Sequence, residues 1–454
     1  MKKERELFES APIPRALATL AIPTIISQLI TMIYNLADTF FIGTTNDPAK
    51  VAASSVAFVL VFAMNCLSNL FGVGGGSLIS RLLGEKRDAD ASRVSSFSFY
   101  GSIVISGVYS IVIYLVMEPF LYLLGATGSS IGYAMDYAYW VVVVGAVPST
   151  VGMTLANLLR SEGYAKHASI GLGMGGVLNI LLDPLFMFVI LEPGNEVKGA
   201  AIATMLSNIA VLIYFLVIMV ILRRRSVLSL SPFRILPRRE HVGSVFAVGF
   251  PSALSSFLAC LSSIIINNLT SGYGDPAIAA VGIVKKIDML PMNVGMGLCQ
   301  GMMPLVAYNF ASKDFKRMKG FTDAARVAGI VFAAVCIVVF EIFAEPLVRI
   351  FINEAETVRL GTDFLRIMCL AVPLMIFNFQ MSFTFQAMGM GRESLFLSSL
   401  RQGLVNIPLL FLMNSIFGLY GIVWTQIISD TITGAISYAF YHRTYRGLLK
   451  SIKM

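Results

Sequence analysis

Residues 20–30 read LAIPTIISQLI and residues 248–258 read VGFPSALSSFL, each with a proline at the fourth position. Further along the chain, GVLNI at residues 176–180 recurs as GLVNI at residues 403–407. Because such echoes follow the same order through both halves, the sequence indicates an internal duplication. The repeated segments are strongly apolar, and duplicated apolar bundles are typical of membrane transporters.

The composition places the chain in a membrane. Of its 454 residues, 56% are hydrophobic and 13% are charged, whereas about a quarter of the residues in soluble domains are charged. A membrane span needs about 20 apolar residues, and the sequence predicts an all-α integral membrane fold of twelve transmembrane helices in two pseudo-symmetric six-helix lobes. We place the helices near residues 16–42, 51–82, 95–117, 133–158, 167–191, 199–222, 243–271, 277–307, 322–344, 361–388, 395–417 and 419–441.

Basic residues predict the orientation. If the N-terminus lies inside the cell, the inner segments hold 25 of the 34 Lys and Arg residues, as expected when basic loops stay in the cytoplasm. Both termini are then cytoplasmic, and the protein is a multi-pass protein of a prokaryotic plasma membrane. The predicted domains are an N-terminal lobe (1–222), a cytoplasmic inter-lobe linker (223–242) and a C-terminal lobe (243–454).

Several function classes are excluded by charge and motifs. The net charge of +8 is spread over short loops, so we expect contact with the lipid bilayer and no nucleic-acid binding. The sequence has no HExxH, GxSxG or Walker A motif, and its three histidines fall in or beside predicted loops. We therefore expect no enzyme activity, no metal centre and no cofactor. We also expect a monomer.

Ionisable residues inside membrane helices are costly and are therefore functional candidates. Asp38 lies in predicted helix 1 with Tyr34 on the same face. Asn179 and Asp183 are four residues apart in helix 5, so their side chains share a face, and Thr204 adds a hydroxyl from helix 6. Oxygen ligands suit a hard cation, and the sequence predicts a cation-coupling site for a proton or a sodium ion. The alternative for Asn179 and Thr204 is hydrogen bonding between packed helices.

A proline follows the second acid directly. Pro184 cannot donate a hydrogen bond to the carbonyl of Ile180, so we expect helix 5 to bend beside Asp183. A bend next to a group that changes charge predicts a conformational hinge. The alternative is a static kink that only fits helix packing.

The second half does not repeat the acid pair. Instead, predicted helix 8 carries Lys285 and Asp288, three residues apart, with Met289 and Met292 nearby. Flexible methionines suit a promiscuous binding wall, and we expect these four residues and Asn378 of helix 10 to line the substrate cavity. The alternative for Lys285 and Asp288 is a structural ion pair.

Over essentially its whole length the sequence resembles the multidrug and toxic compound extrusion (MATE) family and, within it, the MepA-type efflux branch. The resemblance rests on the NxxD of helix 1, LNILLDP of helix 5, GAAIAT of helix 6 and GLCQGMMPLVAYNFASKDFKRMKG after helix 8. It implies a secondary active antiporter that exports small amphipathic, mostly cationic compounds in exchange for H⁺ or Na⁺ by alternating access. It also implies an N-lobe cation site of Asp38, Asn179, Asp183 and Thr204, with Tyr34 and Tyr139 as neighbours.

One other function stays open at this point. A flippase or exporter of a lipid-linked or polysaccharide precursor shares the architecture of this superfamily, and fold alone does not fix function. Such a protein needs a more basic cavity for phosphate groups. The candidates for that cavity are Lys285, Lys286, Arg366 and Arg401.

Overall fold

A computed structural model describes residues 2–45, 47–232 and 238–453, and these residues are almost entirely helical. The α-helices are α1 (Lys2–Glu9), α2 (Ile13–Gly43), α3 (Pro48–Gly84), α4 (Asp88–Leu123), α5 (Ile131–Ala138), α6 (Ala146–Ser161), α7 (Ala165–Leu185), α8 (Glu196–Leu222), α9 (Arg239–Ser271), α10 (Asp275–Ala311), α11 (Phe315–Arg349), α12 (Ala355–Cys369), α13 (Val372–Ala387), α14 (Gly391–Ser399) and α15 (Asn406–Lys453). The wider π-helical segments Tyr139–Val144, Phe186–Ile190 and Leu400–Leu404 continue α5, α7 and α14.

Each of the twelve predicted spans has a helical counterpart. By length and composition, eight helices of the described chain can cross a membrane, or ten if α5 with α6 and α12 with α13 each form one bent span. The eighth, Gly391–Lys450, is 60 residues long and its backbone breaks at Gly418, so it supplies two of the predicted spans. The remaining counterpart, α10, is not among these eight helices, and it carries two aspartates and two lysines in its first half.

The chain forms two compact units. Unit 1 comprises Met1–Ser10 and Ile26–Ala253, and unit 2 comprises Ala11–Ile25 and Leu254–Met454. The first part of α2 therefore belongs to unit 2, and the first part of α9 belongs to unit 1. The sequence instead predicts one lobe before the linker 223–242 and one lobe after it, and these boundaries remain a prediction.

Each unit has its own apolar core. In unit 1, α3 to α6 and α8 pack around residues such as Leu60 and Val141. In unit 2, α10 to α13 and α15 pack around Val284, Phe340 and Phe364. Since lipid tails are as apolar as these side chains, the helices associate through close packing and hydrogen bonds rather than through exclusion of water.

The two repeats also turn alike after their second long helix. Lys86 follows α3 with φ 61°, and Lys313 follows α10 with φ 63°. These two are the non-glycine residues with positive φ in the described chain. Both stand at the same place in the repeated segments SLISRLLGEKRDA and PLVAYNFASKDFK, so the duplication seen in the sequence extends to an uncommon backbone conformation.

The first part of the predicted linker is bound to unit 1, while its residues 233–237 lie outside the described residues. The backbone N–H of Val227 donates to Glu162 Oε1 at 2.7 Å, and the hydroxyl of Ser96 donates to the carbonyl of Ser229 at 2.9 Å. Burial raises the pKa of Glu162 to about 7. The segment after α8 is therefore fixed by specific hydrogen bonds.

One glycine contact within unit 2 gives a testable stability effect. A Cβ atom at Gly301 of α10 would lie 2.4 Å from Cα of Ala21 in α2. The backbone of α2 cannot move aside as easily as a flexible side chain can. We therefore expect Gly301→Ala to lower the free energy of unfolding by about 1–3 kcal/mol. Thermal unfolding of the purified protein in detergent measures this change.

The matched control lies on the same helix. A Cβ atom at Gly282 would meet nothing within 4 Å, so Gly282→Ala should leave the melting temperature unchanged or slightly raised, because alanine favours helix. If both alanine variants unfold at the same temperature as the wild type, the close approach of α10 and α2 does not matter for stability.

Candidate functional site

The acids predicted in the first repeat lie beside one cavity of unit 1. This cavity has a volume of about 130 Å³, and its lining includes Tyr34, Asp38, Asn179 and Thr204. Asp183 is fully buried next to it. Asn179, which lines the cavity together with Asp38, bonds to Asp183, so both carboxylates belong to this site and repel one another when both are ionised.

Asn179 connects the second acid to α8. Its Nδ2 donates to Asp183 Oδ1 at 3.1 Å and to Thr204 Oγ1 at 3.2 Å. The contact with Asp183 follows from the spacing of four residues on α7. The contact with Thr204 requires α7 and α8 to pack together, because the two residues lie on different helices. The structure thus brings together the polar residues predicted for helices 5 and 6.

Of the two tyrosines predicted beside Asp38, Tyr34 lines the cavity and Tyr139 does not. The side chain of Tyr139 is 39% exposed, does not line the cavity and packs edge-on against Trp140. Tyr137 lines the cavity, and its hydroxyl donates to Asp38 Oδ2 at 3.5 Å. The sequence did hold a signal for Tyr137, since Ala134, Tyr137 and Val141 follow the spacing of one buried helical face.

Three oxygen atoms at this site are buried without a hydrogen-bond partner in the described part of the chain. They are Asp38 Oδ1, Asn179 Oδ1 and Asp183 Oδ2. A buried acceptor without a donor costs about 1–3 kcal/mol, and more if it is charged. A proton or a hard cation would satisfy these oxygens, since carboxylate and amide oxygens are ligands for such ions.

The helix beside the acid changes type where the hinge is predicted. Pro184 is the last residue but one of α7, and the π-helical segment Phe186–Ile190 begins directly after that helix. π-Helical turns are rare and are frequent at functional sites. The irregularity lies directly beside Asp183 and Pro184, while the bend and its role as a hinge remain predictions.

Unit 2 does not pair Lys285 with Asp288. Lys285 Nζ donates to Asn267 Oδ1 at 3.0 Å, and no ion pair joins it to an acid among the described residues. The alternative interpretation of Lys285 and Asp288 as a structural ion pair was therefore wrong.

Unit 2 contains a buried ion pair that the sequence did not predict. Arg401 Nε donates to Asp430 Oδ1 at 2.6 Å, and the two side chains are 8% and 0% exposed. Gln426 Nε2 donates to the other carboxylate oxygen at 2.8 Å, and Asn378 Nδ2 donates to Oδ1 at 3.2 Å. The ring of Phe379 lies 4.5 Å from the guanidinium. Asp430 is thus neutralised and fully hydrogen-bonded.

The two cavities described for unit 2 do not join the residues predicted for the substrate cavity in one lining. Lys285 lines the larger of two described cavities in unit 2, and Asn378 lines a small polar cavity beside Arg401. Met292 packs against the core of unit 2. Asp288 and Met289 line neither of these cavities. The role of these five residues as one substrate cavity therefore stays a prediction.

Comparison with known proteins gives three findings. The MatE family model matches residues 23–185 and 251–412. Multidrug export protein MepA of Staphylococcus saprophyticus is 34% identical over 94% of this chain and 92% of that protein, and MepA of Staphylococcus aureus strain MRSA252 is 32% identical over the same shares. A solved multidrug resistance MATE family transporter of the MOP superfamily, in an outward-facing conformation, superposes with a TM-score of 0.93 at 22% identity and 99% coverage of both chains. That likeness confirms the predicted fold of twelve helices in two six-helix lobes.

Proposed function

The chain belongs to the MatE family, and on this basis we propose that it is an antiporter that exports amphipathic cationic compounds in exchange for protons or sodium ions. The relatives that it resembles over nearly their whole length are named as multidrug export proteins. We place it in a bacterial cytoplasmic membrane with both termini inside, as its basic loops indicate.

The observation that supports coupling is the cluster of unpaired oxygens around Asp38 and Asp183. Two ionised carboxylates in an apolar region repel one another and have lost their water. Binding of one proton or sodium ion removes this free-energy cost, and release of the ion restores the cost. The free energy of each conformation then depends on whether the cation is bound, which is the requirement for coupling an ion gradient to transport.

The residues around Asp183 suggest how binding of the cation would change the packing of the helices. Asn179 bonds both Asp183 and Thr204, so a change at the carboxylate changes the contact between α7 and α8. Pro184 and the π-helical segment lie directly beyond it. In this mechanism α7 adopts one geometry with the acid ionised and another with it neutralised.

The cavity of unit 1 also suits cationic substrates. Phe58, Met64 and Met153 contribute to its wall beside Tyr34 and Asp38. Aromatic faces attract organic cations by about 0.5–2 kcal/mol for each good contact, and methionines adapt to different shapes. The carboxylate of Asp38 adds a negative charge that attracts such cations.

The charges argue against the precursor flippase. The described cavity of unit 1 is lined by an acid and by no basic residue. In unit 2, Arg401 is neutralised by Asp430, and Arg366 is half-exposed near Glu341. A diphosphate headgroup needs several free cations, and the two cavities described for unit 2 together offer only Lys285 without an acidic partner.

Everted membrane vesicles that contain the protein test the proposed function. We expect ethidium, a cationic aromatic dye, to accumulate inside them when a proton or a sodium gradient is imposed, and to leave when that gradient is collapsed. Vesicles without the protein provide the background. Accumulation that needs neither gradient, or no accumulation with either, would refute ion-coupled export.

A further inference from the structure

Unit 2 contains the repeat counterpart of the acid site, but both acids are replaced. Counted from the proline that the two repeats share, Ile266 takes the place of Asp38. Counted from the asparagine of the GVLNI and GLVNI segments, Leu410 takes the place of Asp183. Ile266 and Leu410 both line the larger cavity of unit 2. The duplication therefore kept a cavity at this place and removed its negative charge.

The polar positions of the site remain polar. Asn406 takes the place of Asn179, and Gln426 takes the place of Thr204 when each is counted from the matching glycines Gly199 and Gly421. Asn406 and Gln426 line the same cavity as Ile266 and Leu410. All four counterparts of the candidate cation site thus surround one space in unit 2.

This cavity has gained a positive charge. Lys285 is the one ionisable residue of its lining, and the shared Asp-Pro-Ala segments place it opposite Ala57 of the first repeat. An ammonium group has three donors, and in the described chain one of them is used, by Asn267 Oδ1. Among the described residues no acid forms an ion pair with Lys285, and Asp430, which accepts a hydrogen bond from the cavity residue Gln426, is paired with Arg401.

The rest of the lining is apolar and aromatic. Phe364, Met368, Ile422 and Val423 contribute to it, and Phe364 is fully buried. A single cation in such a wall suits a ligand with one negative charge and an apolar body. Phosphate would need more donors than one lysine and two amides supply.

We propose that the larger cavity of unit 2 binds an apolar organic monoanion, with its carboxylate on Lys285 and its body against Phe364 and Met368. This inference rests on the proposed function, because it assumes that the protein exports organic compounds. It adds aromatic carboxylates and zwitterions to the compounds that are exported or bound together with a substrate. The two repeats then recognise charges of opposite sign.

Titration of the purified protein with 4-fluorobenzoate, followed by ¹⁹F NMR, tests the site, with 4-fluorobenzamide as the uncharged analogue. We expect the carboxylate to bind more tightly than the amide. Lys285→Met should weaken binding of the carboxylate roughly ten- to hundredfold, the range for a hydrogen bond to a charged group, and should change amide binding little. Lys285→Arg should retain most of the affinity and shows that the cavity is intact.

The neighbouring Lys286 provides the matched control, because it is exposed and does not line the cavity. Lys286→Met should bind 4-fluorobenzoate as the wild type does. Equal binding of acid and amide, equal weakening by both methionine variants, or an unchanged affinity in Lys285→Met would overturn the proposal. The titration uses no ion gradient, so its failure would leave ethidium transport unaffected, and a failure of transport would leave the Lys285 result standing.

Discussion

Asp183→Asn is expected to reduce ethidium export to the level of cells that lack the protein, while the variant remains folded in the membrane. The amide keeps the shape of the side chain and can still accept the hydrogen bond from Asn179. It cannot bind or release a proton, and it is a much weaker ligand for sodium than a carboxylate. Asp38→Asn should have the same effect for the same reason. Dye efflux, normalised to the amount of protein in the membrane, measures it.

The control for this pair is Glu118→Gln, which neutralises an exposed acid on α4 and should transport as the wild type does. Wild-type efflux from a well-expressed Asp38→Asn or Asp183→Asn variant would remove that residue from the coupling mechanism. Reduced dye efflux in all three variants would instead indicate that transport is sensitive to the removal of any negative charge.

The second large effect concerns stability. Arg401→Met should lower the free energy of unfolding by about 3–5 kcal/mol, the usual result of leaving a buried charge without its partner. Asp430 is 0% exposed, and hydrogen bonds from Gln426 and Asn378 cannot replace the lost positive charge. Thermal unfolding of the purified variant measures the loss.

Replacing both partners should be much less harmful. Arg401→Met combined with Asp430→Leu removes the charge together with its counter-charge, so we expect most of the lost stability to return. Arg366→Met is the matched single control, because the side chain of Arg366 is 50% exposed and its Nε lies 3.8 Å from Glu341 Oε2; the loss of stability should stay below about 1 kcal/mol. If Arg401→Met is no worse than Arg366→Met, the buried pair does not stabilise unit 2.

The fold was predictable because its signals are local. Twenty-residue apolar runs fix the spans, and repeated short motifs reveal the two halves before any contact is known. The match of the family model and the MepA relatives confirms the predicted family and branch. The contact between Asn179 and Asp183 was also predictable, since helical geometry alone brings residues four apart together.

Features that depend on packing between distant segments were not predictable. Arg401 and Asp430 lie in separate membrane helices, and only the fold shows that they meet. Which tyrosine of this segment reaches the cavity of unit 1 is also decided by packing: Tyr137 lines that cavity and Tyr139 does not. The assignment of the first part of α2 to unit 2 likewise depends on contacts across hundreds of residues.

Direct titration of the coupling cation would decide the role of the carboxylate pair. Purified protein would be titrated with sodium chloride at constant pH, and separately with alkali at constant sodium, while a pH-indicating dye reports released protons. We expect a saturable binding or release step in the wild type and in Glu118→Gln, and its loss when Asp38 and Asp183 are both replaced by Asn. The same saturable step in that double variant would contradict the assignment of ion coupling to these two carboxylates.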